Sequence, residues 1–147
     1  DHMRSSNDSI YAVGECAEHR GACYGLVAPL YDQAKVLADH LVGKVCSGYR
    51  GSQLATTLKV SGVSLYSAGD FMAEGEELIF RDPGRNVYKR LIVRNNQLIG
   101  AVLYGEIADG PWYFELIQTG ENIASLRSKL IFGKQYAMPA VIDAEAA

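Results

Sequence analysis

The sequence predicts an α+β protein in two parts: a strand and a helix, then a small domain with an antiparallel sheet and helices on one face. Three observations predict it. Apolar residues recur with a 3.6-residue period over 28–42 and 122–131, as the buried face of a helix requires. Between them, from 57 to 104, the apolar residues are β-branched or aromatic and come in short runs. Those runs are separated by turn residues such as Asn95-Asn96, and an Asn pair tolerates the positive φ angles of a tight hairpin.

The elements follow in order. Residues 9–13, Ser-Ile-Tyr-Ala-Val, read as a short buried strand ending at Gly14. Leu30, Ala34, Leu37, Ala38 and Leu41 share one face of a helix over 28–42, with Pro29 suited to its first turn and Gly43 to the position after its end. A Gly- and Ser-rich stretch leads to Leu54. Strands are then expected at 57–60, 64–68, 77–81, 87–94 and 97–104, the last three forming a meander. Asp109-Gly110-Pro111 supplies a cap and a first-turn proline for a helix over 111–118, which Gly120 closes. A final helix over 122–131 should lay Ile123, Leu126 and Leu130 on the sheet, and residues 133–147 show no periodicity.

Composition narrows the function. A chain of 147 residues with 48 % hydrophobic side chains can bury a core. The 14 basic and 17 acidic residues are mixed along it, so neither a nucleic-acid face nor a polybasic membrane patch is expected. No apolar run approaches the ~18 residues of a membrane span, and no export signal is visible, so the expected location is the cytoplasm. Cys16, Cys23 and Cys46, and His2, His19 and His40, lack metal-ligand spacing; no metal site is expected, and the thiols read as reduced and partly buried.

One constellation carries chemistry. A strand ending in Gly14, followed by Glu15 and about a dozen residues later by a helix start, suits a nucleotide-sugar site. The glycine lets a ligand approach the backbone, the carboxylate accepts a hydrogen bond from a sugar-like hydroxyl, and the helix start offers free N–H groups. On the residues alone, an ordinary turn satisfies the pattern as well.

The wording of the segment goes further. Ser9-Ile-Tyr-Ala-Val-Gly-Glu-Cys, Glu18-His-Arg-Gly and Cys23-Tyr-Gly-Leu-Val-Ala-Pro-Leu together resemble the last FAD-binding segment of the pyridine-nucleotide-disulfide reductase superfamily, and within it the assimilatory nitrite reductase large subunit. The superfamily's usual acid after the glycine is Asp; the nitrite reductase branch resembles this chain in carrying Glu. Leu58-Lys-Val-Ser-Gly-Val, Phe80-Arg-Asp-Pro, Tyr88-Lys-Arg-Leu and Gly100-Ala-Val-Leu-Tyr-Gly resemble the small C-terminal domain of the same enzymes. The resemblance covers residues 5–133.

It implies that Glu15 binds the ribityl chain of FAD, with Gly14 allowing close approach and Leu26 and Val27 offering backbone N–H groups to the flavin ring. It implies no catalytic side chain, because hydride transfer belongs to the flavin. Asp1-His2-Met3 reads as an expression scar (1–3), the Gly- and Ser-rich stretch as a linker (47–54) and the aperiodic end as a tail or linker (134–147). The resemblance implies that 4–46 is the C-terminal segment of an FAD-binding domain and 55–133 the reductase C-terminal α+β domain. No Gly-x-Gly-x-x-Gly occurs, so the phosphate-binding turns for FAD and NAD(P)H are expected upstream in a longer parent. The iron-sulfur cluster and sirohaem are likewise expected elsewhere in that parent.

The expected function is that of a fragment of an FAD-dependent NAD(P)H oxidoreductase feeding electrons to nitrite reduction, inert by itself. Alternatives are the electron-transfer subunit of an assimilatory nitrate reductase, a rubredoxin reductase-like enzyme, or a non-catalytic dimerisation or docking module. The expected partners are the other domains of the parent or a second copy, against which the apolar face of the 28–42 helix could be buried. His19 and Arg20 read either as flavin neighbours or as a solvated loop, Tyr24 as core or as a flavin contact, and Asp70 as a turn acid. Trp112, Tyr113 and Phe114 cannot all face one core, so one should lie at a surface.

Overall fold

The computed structural model describes residues 1–138. The chain divides between Leu54 and Ala55 into two compact units.

The first unit is built around one helix. Two-residue strands β1 (Glu18–His19) and β2 (Ala22–Cys23) pair as a hairpin, and α1 spans Val27–Leu41. Gly43, at φ 74°, ends the helix as expected. The strand expected at 9–13 does not form. Its run instead folds back on the chain start through an isolated Arg4–Tyr11 bridge, with Ser5 N–H donating to the Ile10 carbonyl and Ala12 N–H to that of Met3. Strand propensity is realised only when neighbouring strands accept the backbone hydrogen bonds. Within residues 1–54 the only strand pair is β1–β2, elsewhere in the unit.

The helix also turns differently from expectation. Leu30 and Leu37 are half-buried, but Ala34, Ala38 and Leu41 face solvent, and the buried positions are Pro29 and Gln33. Residues 1–3, set aside above, are part of the unit. Met3 is buried, Asp1 pairs with Arg20 at 2.5 Å, and the Asp1 carbonyl accepts from Tyr49 N–H at 2.7 Å. Cys16 and Cys23 are exposed and Cys46 is half-buried, so the thiols are more open than expected.

The second unit is the predicted sheet. Strands β3 (Ala55–Val60), β4 (Val63–Gly69), β5 (Glu76–Asp82), β6 (Val87–Arg94) and β7 (Gln97–Tyr104) form an antiparallel sheet in the order β3-β4-β7-β6-β5. Asn95 and Asn96 sit at φ 52° and 57°, the positive angles their turn requires. Helix α2 (Gly110–Thr119) lies on one face. Its Trp112, Tyr113, Leu116 and Ile117 close a core with Tyr66, Ala68, Leu91, Val93, Leu98, Ala101 and Leu103. Each such side chain contributes about 1.5–3 kcal/mol on burial. The helix can approach this closely because residue 110 is glycine: a Cβ there would lie 2.7 Å from the Tyr66 ring.

Three expectations fail here for local reasons. Asp109 does not cap α2; its carboxylate instead accepts from Lys134 N–H at 3.0 Å and faces the buried Lys89 ammonium at 3.5 Å. Residues 122–131 are not a helix. The Asn122 side chain accepts from Ala124 N–H, and i→i+3 bonds from Leu126 to Ile123 and from Lys129 to Leu126 form successive turns. A 3-10 turn at Leu130–Phe132 follows. Ile123 and Leu130 still reach the core, because three-residue spacing serves tight turns as well as helices. Trp112 and Tyr113 are both buried and Phe114 is half-buried, so none of the three stands free at the surface. The tail opens with one helical turn, α3 (Lys134–Ala137); residues 139–147 lie outside the described residues.

Candidate functional site

The site is built on a turn and a helix start. Val13 to Ala17 form a tight turn, closed by Ala17 N–H donating to the Gly14 carbonyl at 3.0 Å. Gly14 is buried at φ 88°, and a Cβ on it would stand 3.2 Å from the Leu30 side chain. Both the backbone angle and the space therefore call for glycine. The turn leaves Glu15 exposed, with no ion pair among the described residues. Its carboxylate oxygen lies 3.1 Å from where a Cβ would stand on Gly25, so any larger residue there would crowd it.

Gly25 immediately precedes the start of α1. Leu26 is the extended residue ahead of the helix (φ −104°, ψ 151°), and Val27 is its first helical residue. No side chain caps this end and no acidic residue stands in its first turn. The first N–H groups of a helix have no intrahelical acceptor and carry the positive end of the dipole. Of the residues expected to act together from sequence, Glu15 lies against Gly25, the residue before Leu26 and Val27, and Gly14 lies against Leu30 of the same helix, so an unpaired carboxylate stands near an uncapped helix N-terminus. That arrangement offers one acceptor for hydroxyl groups and several donors for an electron-rich ring edge.

The neighbouring residues are structural. His19 is buried, its Nε2 lies 2.9 Å from the Asp1 carboxylate, and its ring is 4.9 Å from Tyr49. Burial, and then the charge of Arg20, lower its pKa. Tyr24 packs edge-on against Tyr49 at 5.7 Å; in the second unit, apart from this site, the Asp70 carbonyl closes a turn by accepting from Ala73 N–H at 3.4 Å. Sequence reasoning missed Gln33 and Gly25. Gln33 is fully buried, and its Oε1 accepts from Gly14 N–H at 2.6 Å. A polar residue four positions after Pro29, on the buried side of a helix, was the one signal available.

Residues 55–121 match the family described as the rubredoxin NAD+ reductase C-terminal domain. The chain is 50% identical over 126 residues to a nitrite reductase [NAD(P)H] of Bacillus subtilis (strain 168), covering 84% of this chain and 16% of that protein. It is 37% identical over 133 residues to the assimilatory nitrate reductase electron transfer subunit of the same organism, covering 89% and 17%. Among solved structures, the NADH:rubredoxin oxidoreductase from Clostridium acetobutylicum aligns with a TM-score of 0.63 at 27% identity, over 90% of this chain and 35% of that one. The chain therefore spans about a sixth of the length of the two curated relatives, at 16% and 17%.

Proposed function

We propose that the chain, which matches the rubredoxin NAD+ reductase C-terminal domain over residues 55–121 and is 50% identical to a nitrite reductase [NAD(P)H], is the C-terminal part of a flavin reductase module of the pyridine-nucleotide-disulfide reductase superfamily and completes the FAD site of an NAD(P)H-dependent reductase that feeds electrons to nitrite reduction. The observation that carries this reading is the free Glu15 carboxylate beside the uncapped start of α1. Bound here, FAD would supply the hydride-accepting and electron-passing chemistry, which no side chain of this chain supplies.

The residues of this chain fit such a group. Glu15 would accept from the ribityl hydroxyls, and the N–H groups at Leu26 and Val27 would favour negative charge on the ring; Gly14 and Gly25 make room for the Leu30 and Glu15 side chains that shape this site. None of these residues moves a hydride or a proton. Their work is to hold and orient the cofactor and to bias its charge. The phosphate-binding turn, the NAD(P)H site, the iron-sulfur cluster and the sirohaem belong to other parts of the parent, which are also the partners of this chain in the cytoplasm. The fragment alone is accordingly inert.

The experiment is to purify the full-length parent without added cofactor, and beside it the Glu15→Ala variant. Flavin with sirohaem bands in the visible spectrum is expected from the parent, and weakened FAD retention from the variant. A charge-assisted hydrogen bond of about 1.5–3 kcal/mol corresponds to roughly a ten- to hundredfold loss of affinity. Unchanged FAD affinity removes Glu15 from the site. Flavin without sirohaem favours the second reading, an electron-transfer subunit of a nitrate reductase, which the 37% identity to that protein supports.

A further inference from the structure

We infer that Gln33 is the positioning residue of the flavin site, fixing the turn that carries Glu15 to the same helix whose N-terminus faces it; this rests on the reading of Glu15 given above. Gln33 lies on the second turn of α1 with no exposed surface. Its Oε1 accepts from Gly14 N–H at 2.6 Å. That bond sets the orientation of the amide, since the reverse one would place two N–H groups against each other. The Nε2 group is buried without a hydrogen-bond partner among the described residues.

An unpartnered buried donor opposes folding. The amide borders the Tyr49 hydroxyl but meets the geometry of a hydrogen bond only through its oxygen, so the directed contact of this side chain is the one to Gly14. Gly14 is itself buried, and without Gln33 its N–H would have no acceptor. The turn is clamped by two residues of α1: Leu30, whose side chain stands 3.2 Å from a Cβ built on Gly14, and Gln33, which holds its N–H. The neighbouring Asp32 secures the helix from another side, because Ser52 Oγ donates to Asp32 at 2.6 Å and Tyr49 donates to Ser52 at 2.9 Å. One helix thus supplies both the donors at its N-terminus and the anchor of the carboxylate turn. The distance between the two halves of the site does not depend on the loop between them.

The test uses the full-length parent and measures the FAD dissociation constant by flavin fluorescence, with the melting temperature of the cofactor-free protein recorded alongside. Gln33→Met removes the acceptor while keeping the shape. It should weaken FAD about tenfold, with a fall of a few degrees in melting temperature as the buried Gly14 N–H loses its acceptor. Gln33→Glu keeps an oxygen for Gly14 N–H and should stay within about threefold of the parent, a rescue that a purely space-filling role would not produce. Combining Gln33→Met with Glu15→Ala should weaken FAD no further than Glu15→Ala alone, because the glutamine acts through that carboxylate. Additive losses in the double variant, or a Gln33→Glu variant as weak as Gln33→Met, overturn the inference. If Glu15→Ala weakens FAD and Gln33→Met does not, the inference fails while the site stands. If Glu15→Ala has no effect, the site reading fails and takes the inference with it. Should Gln33→Met not fold, Gln33→Asn, which withdraws the same amide by one methylene, takes its place with the same expected loss.

Discussion

The two units of the chain are held together by different physics. Residues 55–138 contain an open five-stranded antiparallel sheet whose central side chains, Leu91, Ala101 and Leu103, are 0 % exposed. In residues 1–54 the buried side chains are few and of mixed kind: Met3, His19, Pro29, Gln33 and Tyr49. Ile10, Val27, Tyr31, Leu41, Val42 and Val45 are all more than half exposed. The sheet unit is a self-sufficient apolar core; the helix unit is organised by hydrogen bonds around a turn. The candidate cofactor residues all lie in the second kind of structure. Preorganisation of a turn and a helix end can therefore come from a few directed polar contacts, with little packing behind them.

The comparison breaks most visibly if Leu91 is truncated. Leu91→Ala at the centre of the sheet should cost about 2–5 kcal/mol. Trp112, the single tryptophan of the chain, lies on α2 and reports on the second unit alone. Its fluorescence midpoint in denaturant should fall sharply, while hydrogen exchange at the Gly14 amide stays as it was. Equal loss at both probes would show one cooperative body and erase the contrast.

A smaller effect comes from Tyr113, whose hydroxyl donates to the Leu130 carbonyl at 2.7 Å inside the core. Tyr113→Phe removes that bond, leaving the Leu130 carbonyl with Gly133 N–H alone, and should cost about 1 kcal/mol. Burial, and then the charges of Asp109 and Glu106, raise the Tyr113 pKa well above its ordinary value. The folded pKa lies above the unfolded value of 10.0. The tyrosine's contribution is therefore complete below pH 10 and is lost as pH rises past it, when only the unfolded chain releases the proton. The alkaline fall in the Trp112 midpoint should be shallower in Tyr113→Phe.

The first unit should respond at the other end of the scale. His19 has its pKa lowered from 6.5, so below that value the unfolded chain takes up a proton that the folded one resists. Its contribution is present above pH 6.5 and is lost as pH falls through the folded pKa. Protection factors, corrected for the intrinsic pH dependence of exchange, should fall at the His19 and Tyr49 amides on mild acidification and hold at those of β6 and β7. A uniform fall across both units would contradict the assignment.

How much of this was legible in the sequence follows the same division. The five strands, the Asn95-Asn96 hairpin and α2 were readable because alternation, turn chemistry and helix ends are local signals that the core then enforces. The strand at 9–13 was misread, since β propensity states what a segment can do and not whether neighbours exist to pair with it. The 122–131 segment was misread because Ile123, Leu126 and Leu130 satisfy a helix and a series of tight turns alike. Glu15 and the start of α1 were readable as a glycine-acid pattern before a proline. Gln33 was not, because its meaning lies in a bond to a backbone group 19 residues away.

The smallest expected effect probes the exposed side of α1. Leu41 stands 61 % exposed at the end of the helix, on the face that apolar periodicity assigns to a core. If that face bears no packing within this chain, Leu41→Ser should change the stability of the first unit by less than about 0.5 kcal/mol, as surface substitutions generally do. The same substitution in the full-length parent is the sharper measurement. A loss of 1–3 kcal/mol there, in the range of a buried leucine that loses its apolar contacts, would mean that the face is covered in the parent. The periodicity would then be a correct reading of a helix whose partner lies outside residues 1–54. A loss in the isolated chain would instead place an apolar contact on this face already, and the contrast between a polar-anchored unit and an apolar one would not hold.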